Sequence, residues 1–79
     1  MIQEDKTYYY RALAAKTQAA HTGFARVRPG VTPSTQSQWI ATAAGMRLAS
    51  FPFDDPEIAV RDLLKRNGYH PQSLEALEA

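Results

Sequence analysis

The segment running from Asp54-Asp55-Pro56-Glu57 to Lys65-Arg66-Asn67-Gly68 constrains this chain more than any other, because it carries start and stop signals for one short helix. Asp54 or Asp55 can accept from the free N–H groups of a first turn, and Pro56 suits the first helical position, where its missing donor costs nothing. Glu57 lies toward the positive end of the helix dipole, Lys65 and Arg66 toward the negative end, and Gly68 supplies a left-handed residue to stop the helix. The spacing predicts a helix over 55–67 whose apolar set is Ile58, Val60, Leu63 and Leu64.

That helix has little to pack against. The chain has 79 residues, and thirteen of its 35 apolar residues are Ala, which leaves 22 large apolar side chains for one thin core. A single small domain over 1–79 is expected. With no Cys there is no disulfide framework, thiolate nucleophile or Cys-based zinc site. No apolar run approaches the ~18 residues of a bilayer span, and Met1-Ile2-Gln3-Glu4-Asp5-Lys6 lacks the basic start and apolar stretch of a signal peptide. These features point to a soluble, cytoplasmic protein with no membrane partner.

Upstream, Pro33-Ser34-Thr35 reads as a helix start, and Trp39, Ile40, Ala43, Ala44 and Leu48 fall at helical spacing. A second helix over 34–49 is expected, ended before Pro52. The first thirty residues decide the fold class. Thr7-Tyr8-Tyr9-Tyr10 is rich in strand formers and Phe24-Ala25-Arg26-Val27-Arg28 alternates with period two, which favours an antiparallel hairpin of 6–15 with 21–28. Against it, residues 12–20 have high helix propensity, and a small all-α bundle is the alternative. The tail at 71–79 reads as a loosely docked last turn or as frayed. The architecture expected is thus α+β: an N-terminal antiparallel hairpin covered by two helices. Its expected core comprises Tyr10, Ala25, Val27, Trp39, Ile40, Ala43, Leu48, Phe51, Ile58, Val60, Leu63, Leu64 and Tyr69.

Catalytic signatures are missing. His21 and His70 accompany no Cys, no His-Glu-x-x-His helix and no Gly-x-Ser-x-Gly elbow, and the four glycines form no phosphate loop. The acids at 54, 55 and 57 lack the spacing of a calcium loop. No enzyme, metal or cofactor is expected.

Charge is uneven: residues 1–30 carry five bases against two acids, and residues 31–79 carry four against six. On strands, Tyr9 and Arg11 share one face, as do Phe24, Arg26 and Arg28, while Ala25 and Val27 turn to the helices. The candidate binding surface is therefore Tyr9, Arg11, Arg26 and Arg28, of residue types enriched at interface hot spots. Asp54, Asp55 and Asp62 are the next candidate. The partner expected is a protein, which includes a second copy of the chain as a homodimer. Single-stranded nucleic acid is the alternative, since Thr22-Gly23-Phe24-Ala25-Arg26-Val27 echoes a ribonucleoprotein signature without its second aromatic.

In size, in lacking catalytic groups and in its expected hairpin-plus-helices layout, the chain resembles small phage-encoded inhibitors, the anti-CRISPR proteins. The resemblance is to a class, shares no motif and carries over no functional residue. It implies a phage or mobile-element product that occludes a site on a host CRISPR or other immune nuclease complex in the host cytoplasm.

Overall fold

The computed structural model describes residues 5–77, and they form a four-stranded antiparallel sheet with one helix across one face. In chain order the elements are β1 (Lys6–Ala14), β2 (Ala20–Pro29), β3 (Trp39–Ala43), α1 (Pro56–Arg66) and β4 (Tyr69–Leu77). Across the sheet the order is β3-β2-β1-β4.

β1 and β2 pair from Lys6↔Val27 to Leu13↔Ala20. Their connection is tied by Ala14 N–H to the Ala19 carbonyl at 2.9 Å and Gln18 N–H to the Ala14 carbonyl at 2.8 Å. Gln18 takes a positive φ of 62° there, a cost that Gly or Asn would have avoided. The alanine-rich run is thus split between two strand ends and a turn, and the all-α alternative is excluded.

The expected architecture is corrected in two places. Residues 34–49 are not a helix. Thr32, Ser34 and Thr35 join their hydroxyls in a local turn, with Thr32 Oγ1 to Thr35 Oγ1 at 2.7 Å, and Trp39–Ala43 then runs as β3 beside β2. The reason is an unpaired edge: a two-stranded hairpin leaves the outward N–H and C=O groups of β2 without partners, and β3 supplies them at Arg26↔Thr42 and Arg28↔Ile40. The tail is neither a last turn nor frayed. Through Leu77 it is β4, paired with β1 from Ala14↔Tyr69 to Thr7↔Leu77, with a bulge opposite Arg11/Ala12. Residues 78 and 79 of the expected tail lie outside the described residues.

α1 forms as its signals require. Asp55 caps it by accepting the Glu57 N–H at 2.8 Å, Pro56 occupies the first turn, and Gly68 follows at φ 85°. Its buried stripe is Ala59, Val60, Leu63 and Leu64; Ile58 lies off the stripe and is exposed. Leu48 and Phe51, expected in the core, are also exposed, and Ile40 is half-buried on the other face of the sheet.

Alanine abundance makes sense in this arrangement. Ala12, Ala25, Ala41 and Ala59 are all fully buried, where small side chains let α1 sit close on the sheet. Tyr8, Tyr10 and Trp39 supply the bulk around them. Burial pushes the Tyr8 hydroxyl above its ordinary pKa, helped by the charges of Asp55 and Glu57, and burial followed by Tyr69 does the same for Tyr10.

The long segment between β3 and α1 closes the β3 edge. Trp39 and Phe53 exchange both backbone hydrogen bonds, at 2.7 and 2.9 Å. The buried Ser50 hydroxyl accepts the Ala41 N–H at 2.7 Å and donates to the Phe51 carbonyl at 2.8 Å. No helix among the described residues is long and apolar enough to cross a membrane.

Candidate functional site

Period-two alternation divides the sheet's side chains cleanly. Tyr8, Tyr10 and Ala12 of β1 and Ala25 and Val27 of β2 point at α1, so Thr7, Tyr9, Arg11, Phe24, Arg26 and Arg28 point the other way. No described element covers that second face. All four sequence-derived candidates, Tyr9, Arg11, Arg26 and Arg28, stand on it. What brings them together is the β1–β2 register, which sets Tyr9 opposite Phe24, Thr7 opposite Arg26 and Arg11 opposite Thr22.

The centre of the face is aromatic. Tyr9 and Phe24 form a directly opposed pair with ring centroids 5.4 Å apart, tilted by 58°. Such pairs add about 0.5–1.5 kcal/mol beyond the area they bury. Tyr9 is half-buried, but Phe24 remains 60% exposed although it lies on a central strand. Bases surround the pair: Arg26 and Arg28 follow Phe24 along β2, and Arg11 lies beyond Tyr9 on β1. Arg28 Nε is 3.3 Å from Asp5 Oδ2, both side chains about half exposed, so their mutual attraction is largely screened. Glu75 of β4 stands opposite Tyr9 and places a carboxylate at the other rim.

Beside Phe24 the face dips. Thr42 of β3 and Ala44 just past its end present only short side chains beside Phe24 and Arg26, and the difference in length leaves an open depression floored by β2 and β3. Phe24 and Thr42 were absent from the sequence-derived site. Phe24 was legible as an outward residue of β2; Thr42 was not, because β3 read as helix. Glu75 was hidden for a similar reason, since Pro71 and the bulge interrupt the alternation that would mark β4 as a strand.

The second sequence-derived candidate is engaged in holding the fold. Asp55 caps α1, Asp54 Oδ1 accepts from Gln38 Nε2 at 3.3 Å, and Asp62 Oδ2 accepts the Phe51 N–H at 2.9 Å. His21 packs edge-on against Tyr69 at 5.1 Å, on the helix side of the sheet's end. Comparison with protein-family models, with curated proteins and with solved structures finds no match for this chain. The hairpin-plus-two-helices layout that entered the likeness to phage inhibitors is not the layout of this fold.

Proposed function

We propose that this is a non-catalytic binding protein that engages a protein partner through the open face of its sheet, and that it acts by occluding the surface it covers. The observation that carries the reading is the Tyr9–Phe24 pair at the centre of an uncovered face, with Phe24 60% exposed and Arg11, Arg26 and Arg28 around it. An aromatic centre inside a polar, mixed-charge rim is the anatomy of a protein interface. Asp5 beside Arg28 and Glu75 beside Tyr9 place carboxylates at the rim of the aromatic pair, where they would repel phosphates. This placement favours a protein over single-stranded nucleic acid. A cytoplasmic setting goes with a chain that contains no Cys.

The test pairs two probes. Wild-type protein and a Phe24→Ala/Arg26→Ala variant, its fold verified by thermal melt, are immobilised and exposed to nuclease-treated bacterial lysate. A protein retained by the wild type and lost from the variant supports the reading. A polythymidine oligonucleotide is titrated in parallel at rising salt. Tight oligonucleotide binding that weakens steeply with salt would replace this reading with the nucleic-acid one.

A further inference from the structure

The two edges of the sheet are treated differently, and the hydrogen-bond parity shows how. In β1 the Ala14 N–H goes to Ala19 on the β2 side, while the next amide, Ala15, goes to the Gly68 carbonyl on the β4 side at 2.8 Å. Because β1 pairs with β2 without interruption, this alternation extends along the strand. Its even-numbered residues bond to β2, and Thr7, Tyr9 and Arg11 bond to β4. Their partners Leu77, Glu75 and Ser73 therefore spend their backbone groups inside the sheet. Leu74 and Ala76 point theirs outward. The same rule carried across β2 makes Trp39 and Ala41 the outward residues of β3, and those are the residues that Phe53 and Ser50 satisfy. Among the described residues, nothing does so for Leu74 and Ala76.

Natural edges are commonly blunted by Pro, Lys or a bulge. β4 has Pro71 and its bulge in the first half only, and the stretch Ser73–Leu77 contains neither, nor a Lys. We infer that this stretch pairs antiparallel with the same stretch of a second copy, joining two sheets edge to edge about a two-fold axis at Leu74.

Parity and charge choose that register. A two-fold centred on Glu75 would set two carboxylates directly opposite each other, which is destabilising. Centred on Leu74, the pairing lets the two Leu74 residues exchange N–H···O=C bonds and meet on the helix-covered side, where Leu74 already packs against the core. On the open face it sets Ser73 opposite Glu75 of the second copy. The bulge ends the regular pairing before Pro71, which has no N–H to give and lies at the margin. The interface is isologous, as a closed dimer requires, and leaves Tyr9 and Phe24 uncovered. It shares Glu75 with the rim of that face but not the aromatic centre, so the dimer can form or fail whatever that face binds.

Sedimentation equilibrium from micromolar to millimolar concentration, combined with amide exchange, tests the pairing. Dimerisation is expected, with the Leu74 and Ala76 amides gaining protection as concentration rises while Ser73 and Glu75, bonded to β1, are protected throughout. Ala76→Pro removes only an outward N–H, so it should leave the thermal melt in place and abolish the dimer. Ser73→Lys should tighten the dimer several-fold, because each introduced ammonium faces Glu75 of the other copy. A protein that stays monomeric at millimolar concentration would overturn the inference. So would a dimer that survives Ala76→Pro, or one that Ser73→Lys loosens.

Discussion

Asn67 holds Leu48 as a neighbouring strand would: its side-chain oxygen accepts the Leu48 N–H at 3.1 Å, and its nitrogen donates to the Leu48 carbonyl at 2.8 Å. The same nitrogen donates to the Leu63 carbonyl at 2.7 Å, which ties the segment after β3 to the last turn of α1. Arg66 reinforces the tie, donating to the Ala49 carbonyl at 3.0 Å and stacking over Phe51 at 3.9 Å. Asn67→Ala should cost about 1–3 kcal/mol in urea unfolding, since three bonds are lost together. Asn67→Asp should recover none of it: a second oxygen would face two carbonyls, and its charge would sit at the negative end of the helix dipole. A wild-type midpoint for Asn67→Asp would show that the clamp does not act through the amide nitrogen.

Tyr10 lies across Gly23 on the helix side of the β1–β2 ladder. A Cβ at Gly23 would come within 2.8 Å of the Tyr10 hydroxyl oxygen and 3.0 Å of its ring. Gly23→Ala should therefore destabilise by about 1 kcal/mol, the overpacking outweighing the better strand propensity of Ala. Tyr10→Phe in the same chain should recover part of the loss by removing the nearest atom. A double-mutant cycle with no coupling between the two positions would contradict this account.

Alkaline pH should expose the buried tyrosines. Tyr8 and Tyr10 titrate above the ordinary value of 10.0 in the folded chain, so the native state keeps protons that the unfolded chain surrenders. Stability is then unaffected well below pH 10 and falls as pH rises through that value toward the folded-state pKa values. Urea midpoints measured between about pH 8 and pH 11 should show the decline. Tyr8→Phe should make it shallower, because one of the two linked protons is gone. An equally steep decline in that variant would assign the linkage elsewhere.

The open face should separate binding from stability. Phe24→Ala should alter the unfolding free energy by about 1 kcal/mol or less, because its ring is mostly in solvent and only its contact with Tyr9 is lost. The same change should weaken a partner seated on the face by about 2 kcal/mol or more, roughly thirtyfold in affinity. Isothermal titration beside a urea melt reads both. Unaltered affinity in the folded variant would remove Phe24 from the interface.

Local chemistry by itself determined α1, because Asp55, Pro56 and Gly68 act on their nearest neighbours and need no partner to bring about a start and a stop. It also grouped Tyr9 with Arg11 and Arg26 with Arg28 on shared faces of expected strands, since alternation follows from strand geometry. It was the β1–β2 register that put both groups on one face. Only the tertiary structure decided that Trp39–Ala43 and Tyr69–Leu77 are strands. In Trp39–Ala43 the helical spacing of Trp39, Ile40, Ala43 and Ala44 competes with strand pairing, and the outward backbone groups of β2 settle the competition by offering hydrogen bonds that an isolated helix cannot use. In Tyr69–Leu77 the pattern is broken by Pro71 and the bulge, and the strand exists because β1 needed a partner on its other side. A backbone hydrogen bond between strands belongs to two segments at once, so neither segment's own residues announce it.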